Sequence, residues 1–232
     1  MTDISMLLVV WEYIDKNTTK REVMRSLSKY WGDNQRVMTL LEKAYNESSD
    51  GHGYDTRDSG ERYFRHVLGV VSILLYLFDK GAVKPNYHLV IAAFFHDLPE
   101  DKSDEWSIQK IKRLFGKIVA RLVNAVTKPP YTNRHPKGSE IHALLTFDKV
   151  KEAGEIAIIL KIADRLHNML TLWGSPEKKN RKILETIRHV FPLAVRVNVL
   201  VDELLLATAQ QKLSEHIDNN EVSEIGHDTR NQ

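Results

Sequence analysis

The stretch LVIAAFFHDLPED, residues 89–101, joins an unbroken apolar run to four titratable side chains. The apolar run predicts a buried helix, and Pro99 predicts that it ends near Leu98, because proline has no amide hydrogen and clashes with the preceding turn. Burying His96 and Asp97 at the end of such a helix is costly unless a partner, such as a divalent cation, binds both. Taken alone, the pair is also explained by an ordinary helix end, with a histidine near the dipole and an aspartate as a cap.

Two other apolar segments each carry a polar side chain into the expected core. Asp164 interrupts the apolar stripe of residues 156–170, so its carboxylate needs a partner, which could also be Lys161 or Arg165 on the same helix. His66 opens another apolar helix and, alone, is more often a satisfied buried histidine. Two imidazoles and two carboxylates together suit Mn²⁺, Fe²⁺ or Zn²⁺ better than Ca²⁺ or Mg²⁺, and they leave coordination sites open. The candidate metal ligands are His66, His96, Asp97 and Asp164.

An acidic pair, Glu100 and Asp101, follows the His-Asp pair directly after Pro99. We expect it to lie on a turn at the mouth of the metal site, with a new helix starting at Ser103. One of these carboxylates could orient or deprotonate an attacking water, or protonate a leaving group. The alternative is a pair of solvated linker residues.

Helical periodicity dominates the chain, and alternating strand-like runs bounded by turn dipeptides are missing, so we predict an all-α fold. Pro192 should break or kink the last helix. Two polar loops are expected at residues 47–60 and 128–138, and a frayed or disordered tail from Asp218 to Gln232. The predicted helices cover residues 3–15, 19–30, 34–47, 61–79, 86–98, 104–125, 139–153, 155–173 and 178–214.

Composition narrows the class of protein. A chain of 232 residues that is 42% hydrophobic and 28% charged fits one soluble globular domain. The absence of cysteine excludes disulfides, iron–sulfur clusters and thiolate metal sites. The formal charge of +2 comes from interspersed charges, which argues against a nucleic-acid-binding surface. The apolar run from Ile4 to Ile14 contains Glu12 and lacks a basic leader, so we expect a core helix, no membrane span and a cytoplasmic protein.

Three segments, in order and spacing, resemble the signature segments of RelA/SpoT hydrolase domains. They are residues 57–66 (RDSGERYFRH), 96–101 (HDLPED) and 161–169 (KIADRLHNM). The resemblance covers roughly residues 40–198. It implies an HD-domain helical bundle of about nine to ten helices. From composition and periodicity we expect residues 1–217 to form this single domain, with residues 1–40, outside the resemblance, as an N-terminal helical extension and residues 218–232 as the disordered tail.

The resemblance also implies an activity. Members of that family remove the 3′-pyrophosphate of the alarmone (p)ppGpp, leaving GDP or GTP and pyrophosphate, with Mn²⁺ as the metal. On this pattern the four candidate ligands hold one Mn²⁺ per subunit, other divalent transition metals being possible, and Glu100 and Asp101 are the catalytic acids. Arg57 would pack against the purine, Ser59 would bond a base edge, and Asn168 would contact the ribose and phosphates. Lys161 and Arg165, with the nearby cluster Lys178, Lys179 and Arg181, are candidates to neutralise the polyphosphate.

Departures from the pattern leave the substrate open. Asp58 stands where a basic residue is common, and Val67 and Pro99 also depart from the usual residues. The alternatives are an adenine alarmone, (pp)pApp, a deoxynucleoside monophosphate, or a non-catalytic alarmone-binding module. We expect a small, hydrolase-only protein that acts on a nucleotide. It could form homo-oligomers and could be paired in function with a separate alarmone synthetase.

Overall fold

The computed structural model describes residues 5–134, 136 and 139–228, and side chains as far as residue 214. Part of the predicted 128–138 loop, at residues 135, 137 and 138, lies outside the described residues. Within the described ranges the backbone forms twelve α-helical segments and one π turn, with no strand, which confirms the predicted all-α fold. An isolated bridge joins Thr56 to Arg62.

The helices follow one another along the chain with short connections, except where the segment 53–62 and the segment 127–139 intervene. They are α1 Ser5–Lys16, α2 Lys20–Trp31, α3 Gln35–His52, α4 Tyr63–Asp79, α5 Tyr87–Phe95, α6 Leu98–Asp101, α7 Ile108–Val126, α8 Glu140–Ala153, α9 Glu155–Leu170, α10 Pro176–Glu185, the π turn Thr186–Val190, α11 Phe191–Val197 and α12 Val201–Asp228.

Helices α4, α5 and α9 form the centre of the bundle. Every residue from 66 to 78 of α4 and from 89 to 95 of α5 is buried, as are most of α9. Helix α5 packs on α3, α4, α7 and α9, and α9 also contacts α8 and α12. The three helices therefore hold their side chains rigidly, because well-packed cores adopt few alternative arrangements. None of the helices among the described residues combines the length and hydrophobicity that membrane crossing requires.

The N-terminal helices are part of the same core. Helix α1 packs against α4 and α12, and α2 packs against α3 and α4. Leu7, Val10, Val23 and Leu27 are buried in these contacts. Helix α2 begins with a capping box in which Thr19 and Glu22 bond each other's backbone, an arrangement that satisfies two otherwise free amides.

Two predicted boundaries were wrong around the third and seventh helices. Helix α3 continues to His52 instead of ending near residue 47, because the Ser48 hydroxyl bonds the Phe94 carbonyl and the last turn packs into the core. Helix α7 begins after Ser107, whose side chain accepts from the Lys110 amide, rather than at Ser103.

The predicted last helix, residues 178–214, is divided in the structure. Pro192 lies in the first turn of α11, directly after the π turn, whose wider winding accommodates a ring that would clash within a regular helix. The true break follows α11, where Asn198 and Leu200 adopt positive φ angles of 52° and 54°. This division and the short α6 explain why there are more segments than the nine or ten expected. Helix α12 then runs to Asp228, and residues 229–232 lie outside the described part. No proline interrupts this run, and the helix continues from the turns before it.

Helix α7 contains a kink at Gly116, which has φ 88° and ψ 172°. Side chains rarely adopt this backbone region, although a methyl group there would meet no atom within 4 Å. We therefore expect Gly116→Ala to lower the free energy of unfolding by about 1–3 kcal/mol through backbone strain. Denaturant titration measures this, with the exposed neighbour Lys117→Ala as control. An unchanged stability for Gly116→Ala would contradict the strained kink.

Candidate metal centre and active site

Three central helices bring predicted ligands to one point. His66 lies in the first turn of α4, His96 follows the end of α5, and Asp164 lies in the middle of α9. The three residues are almost fully buried, at 1%, 2% and 5% exposure respectively. One ligand atom from each lies within 4.8 Å of the others. The packing of α4, α5 and α9 against one another therefore brings together three residues that periodicity alone placed only in the core.

Asp97 completes the group. Its Oδ2 lies 3.1 Å from His96 Nε2 and 3.6 Å from His66 Nε2. Asp164 Oδ1 lies 3.4 Å from His66 Nε2 and 3.7 Å from His96 Nε2, and the two Nε2 atoms are 3.2 Å apart. The Tyr63 hydroxyl donates to Asp97 Oδ2 at 2.6 Å. Two imidazole nitrogens and two carboxylate oxygens thus face a common centre.

The donor set fits a divalent transition-metal ion. Each histidine directs Nε2 inward while its other nitrogen has an outer partner: His96 Nδ1 lies 2.8 Å from the Ala93 carbonyl oxygen, and His66 Nδ1 lies 2.9 Å from His167 Nδ1. Such outer partners are the usual support of metal-binding histidines. Mixed nitrogen and oxygen donors suit Mn²⁺, Fe²⁺ or Zn²⁺, whereas Ca²⁺ and Mg²⁺ prefer oxygen alone.

The charges of the cluster depend on one another: without a cation, Asp97 and Asp164 outweigh burial and raise the pKa of His96 well above its usual range. Burial opposes ionisation of Asp164, but Lys161 and the two histidines outweigh it and hold the carboxyl pKa well below its usual range. Burial likewise opposes ionisation of Asp97, and His96 outweighs it, so that this pKa is also lowered. Both carboxylates therefore stay ionised at neutral pH, in surroundings where an unpaired charge is costly.

The acidic pair lies on α6, a one-turn helix with Pro99 in its first turn. Proline is well tolerated at this position because its missing amide hydrogen would be unpaired anyway. Glu100 accepts from the Lys128 backbone amide at 2.6 Å and from Lys128 Nζ at 2.7 Å. Both of its carboxylate oxygens are thus occupied, and its position is fixed.

Asp101, in contrast, keeps an exposed side chain. The carboxyl group is nevertheless partly buried by neighbouring residues. This partial burial, followed by the charges of Asp97 and Glu100, raises the pKa of Asp101 to about 6. A hydrogen bond from Tyr63 acts in the opposite direction. Asp101 therefore has the accessibility and the near-neutral pKa that suit a group exchanging protons with a substrate or water.

The predicted nucleoside contacts gather around one cavity of about 220 Å³, which is lined by Arg57, Ser59, Asn168 and Trp173 among others. Arg57 Nη1 donates to Thr171 Oγ1 at 2.7 Å, and Nη2 donates to Asn168 Oδ1 at 2.8 Å. Asn168 Nδ2 in turn donates to Asp164 Oδ1 at 2.6 Å. The segment before α4 is thereby connected to a candidate metal ligand.

The two predicted phosphate-binding residues on α9 have different surroundings. Lys161 is buried, and its Nζ lies 2.9 Å from Asp164 Oδ2, the intrahelical pair that we weighed as an alternative. Lys161 also lines a larger cavity of about 670 Å³. Arg165 forms an ion pair with Glu185 and bonds Thr186 Oγ1, and it lines neither cavity. The substrate contact of Arg165 stays a prediction, and in this structure Glu185 and Thr186 bind its guanidinium.

Several residues that contact the acidic pair or a candidate ligand, or that line the cavities, could not be predicted from the sequence. Lys128 bonds Glu100, Tyr63 bonds Asp97, and Lys182 lines both cavities. The charge of Arg165, followed by burial, lowers the pKa of Lys182 to about 8. Spacing gave no signal for these contacts, which join residues far apart in sequence. The basic residues of the larger cavity are Lys128, Lys161, Lys178, Arg181, Lys182 and Arg188, whereas Lys179 lines neither cavity.

The chain is similar to known proteins. Residues 44–200 match the family described as HD domain. The chain is 35% identical over 164 residues to the bifunctional (p)ppGpp synthase/hydrolase SpoT of Escherichia coli K12, and 34% identical over 160 residues to the guanosine-3′,5′-bis(diphosphate) 3′-pyrophosphohydrolase of Aquifex aeolicus. Each match covers 68% of this chain and 22% of the relative, so the chain spans about a fifth of the relatives' length.

A solved structure is also similar. It is a metazoan ortholog of SpoT, described as hydrolysing ppGpp and playing a role in starvation responses, with a TM-score of 0.56 and 19% identity over 76% of this chain and 95% of that one. At this identity the likeness shows a shared fold. The chain belongs to the HD domain family, and its HD domain is related to that of the SpoT proteins.

Proposed function

We propose that the chain is a metal-dependent phosphohydrolase that removes the 3′-pyrophosphate of ppGpp or pppGpp, giving GDP or GTP and pyrophosphate. One observation carries this proposal: a buried group of two histidines and two carboxylates is joined to an accessible aspartate through Tyr63 and to a basic cavity through Lys161. The relation to SpoT supplies the substrate class. The reaction needs each of these features: a cation site, a proton carrier and a place for phosphate charge.

We propose that His66, His96, Asp97 and Asp164 hold Mn²⁺. The donor chemistry accepts Mn²⁺, and the two ionised carboxylates favour it. A divalent metal ion at such a site supplies Lewis acidity, which lowers the pKa of water and stabilises charge on a phosphoryl oxygen. Asp164 is also held by Lys161 and Asn168, so its carboxylate is oriented before any cation binds.

We assign the proton transfer to Asp101 and a positioning role to Glu100. Asp101 is exposed, and its pKa is about 6, so it is ionised at neutral pH and able to accept a proton from the attacking water. Both carboxylate oxygens of Glu100 accept hydrogen bonds from Lys128. Glu100 therefore holds that lysine at the edge of the larger cavity. The two members of the acidic pair thus have different tasks.

The two cavities divide the substrate between them. The larger cavity presents six lysine and arginine side chains to which phosphate groups can bind, against three carboxylates, those of Glu140, Glu177 and Glu185. In the smaller cavity the N–H edge of Arg57 is occupied by Thr171 and Asn168, which leaves the flat faces of its guanidinium for stacking on a purine. Ser59 lies at the same cavity and offers a hydroxyl to a base edge.

The pH dependence follows from Asp101. Because the raised pKa of about 6 makes the carboxylate the minor form below that value, we expect kcat/KM to fall as the pH drops below about 6. A cation bound at Asp97 would offset the negative charge of Asp97, which is one of the causes that raise the pKa of Asp101. The pH below which kcat/KM falls is therefore 6 or lower. Rates at saturating Mn²⁺ test this, and Asp101→Asn should lack the limb. A rate that rises on acidification would instead make Asp101 a general acid.

The substrate is tested by anion-exchange chromatography of products from ppGpp, pppGpp, an adenine alarmone and a deoxynucleoside monophosphate, each incubated with protein and Mn²⁺. We expect GDP or GTP and pyrophosphate from the guanine alarmones, and no product after addition of EDTA. Preference for the adenine alarmone would correct the base; turnover of the deoxynucleotide alone would overturn the alarmone assignment. Parallel reactions with Zn²⁺ and Fe²⁺ test the choice of metal.

We place this reaction in the cytoplasm, where such nucleotides occur, with a separate synthetase supplying the alarmone. Fractionation of cells that express the chain, and measurement of their ppGpp content, test both points. An alarmone level that is unchanged by expression would contradict hydrolysis in the cell, and recovery of the protein outside the cytoplasmic fraction would contradict the location.

A further inference from the structure

His167 lies directly behind one of the candidate ligands. It is on α9, is 2% exposed, and its Nδ1 lies 2.9 Å from His66 Nδ1. The opposite nitrogen of His66, Nε2, faces His96 and Asp164 at 3.2 and 3.4 Å. His66 therefore stands between the other ligands on one side and a second imidazole on the other.

The two nitrogens in contact fix where the protons must be. A neutral imidazole carries one N–H and one lone pair. His66 can bind a metal through Nε2 only if its proton is on Nδ1, and that proton then points at His167. His167 Nδ1 must accept it, which leaves the proton of His167 on its own Nε2. The reverse arrangement would place a proton on the His66 nitrogen that faces the cation site.

We propose that His167 is a positioning residue that accepts the Nδ1 hydrogen bond of His66 and so holds His66 in the tautomer and ring orientation that metal binding requires. This inference rests on the metal site of the proposed function. His96 has a backbone carbonyl in the corresponding place, so each histidine ligand has one outer partner.

The His167 ring occupies the space that a side chain at residue 69 would need, so only glycine fits there without moving the ring. Gly69 lies on α4, three residues after His66, and a Cβ built there would be 1.9 Å from both Cδ2 and Nε2 of His167. Glycine inside a helix costs roughly 1 kcal/mol relative to alanine. At Gly69 the missing side chain leaves the space in which the His167 imidazole packs against α4.

The N-terminal segment closes the outer side of this space. A cavity of about 110 Å³ is lined by His167, Gly69 and Asn17, which lies between α1 and α2. Asn17 is buried, and its Oδ1 has no hydrogen-bond partner among the described residues. The cavity is large enough to hold water, and Asn17 and His167 both line it. Residues of the N-terminal segment therefore line the same cavity as His167.

Metal affinity tests the proposal without using activity. We would titrate metal-free protein with Mn²⁺ by calorimetry, comparing wild type with His167→Leu and His167→Asn. Leucine removes the acceptor, and we expect affinity to fall by about 10- to 100-fold. The asparagine oxygen can occupy the place of Nδ1, so this variant should retain most of the affinity. Gly69→Ala, which displaces the ring, should behave like leucine.

A matched control removes another buried histidine. His142 on α8 bonds the Pro129 carbonyl at 2.8 Å and belongs to no ligand contact, so His142→Leu should leave the Mn²⁺ affinity unchanged. If wild type binds no Mn²⁺, the metal site of the proposed function fails. If wild type binds and His167→Leu binds equally well, the positioning role alone fails.

Nitrogen NMR of the zinc-loaded wild-type protein decides the case even if the leucine variant does not fold. With ¹⁵N-labelled histidine, we expect His66 to carry its proton on Nδ1 and to show scalar coupling across the N–H···N bond to His167 Nδ1. A His66 proton without this coupling, or a zinc-bound Nδ1, would overturn the proposal.

Discussion

Replacing Asp164 by asparagine is expected to abolish detectable Mn²⁺ binding and to lower the rate of ppGpp hydrolysis by about a thousand-fold, since losing the metal removes several kcal/mol of charge stabilisation. The amide keeps the shape of the side chain and its contact with Asn168, but it is neutral and a poor ligand. Calorimetry and product chromatography measure the two losses.

Stability must be separated from metal binding in this experiment. Asp164 is also the ion-pair partner of the buried Lys161, at 2.9 Å, and leaving a buried charge without its partner costs about 3–5 kcal/mol. The double variant Lys161→Met, Asp164→Asn removes both charges and should recover the melting temperature. We expect it to remain inactive. A stable double variant that still hydrolyses ppGpp in a Mn²⁺-dependent way would contradict the assignment of Asp164 as a ligand.

Asp101→Asn is expected to lower kcat by about 100- to 10,000-fold, the usual contribution of a general acid or base. Metal affinity should be nearly unchanged, because Asp101 lies outside the ligand group. Glu100→Gln should lose much less, about 10-fold, because the amide oxygen can still accept from the Lys128 backbone amide and only the charged contact is weakened. Steady-state kinetics at saturating Mn²⁺ separates the two.

The comparison of Asp101→Asn with Glu100→Gln is informative because the side chains are adjacent and equally acidic in sequence. Only the structure distinguishes them, through the two bonds from Lys128 to Glu100 and the raised pKa of about 6 for Asp101. A larger loss of kcat for Glu100→Gln than for Asp101→Asn would exchange the two roles.

The sequence was sufficient to place the candidate ligands in the core. His66, His96 and Asp164 lie within long apolar stretches, and helical periodicity directs them inward whatever the neighbouring helix is. The same stretches gave α4, α5 and α9 close to their observed bounds. Their convergence needed the resemblance to a known family, because periodicity does not say which helices pack together.

Contacts between distant residues could not be predicted. The hydrogen bond from Arg57 to Asn168 spans 111 positions, and the bond from Lys128 to Glu100 spans 28. Arg165 follows Asp164 directly in the sequence, but its ion-pair partner is Glu185, 20 positions further on. Such pairings depend on tertiary packing rather than on local pattern.

Helix ends failed for a related reason. Ser103 and Ser107 are equally good capping residues in sequence, and burial of Trp106 between them places the start of α7 at the second. The positive φ angles of Asn198 and Leu200 end α11 without glycine, the residue that usually marks such a turn.

Turnover of ppGpp by metal-stripped protein during stepwise addition of Mn²⁺ tests the central claim most directly. The account predicts no GDP or pyrophosphate before addition, product formation that rises with Mn²⁺ and levels off near one ion per chain, and no such rise for Asp164→Asn. Absence of both products at every Mn²⁺ level, or a full rate in the stripped protein, would contradict it.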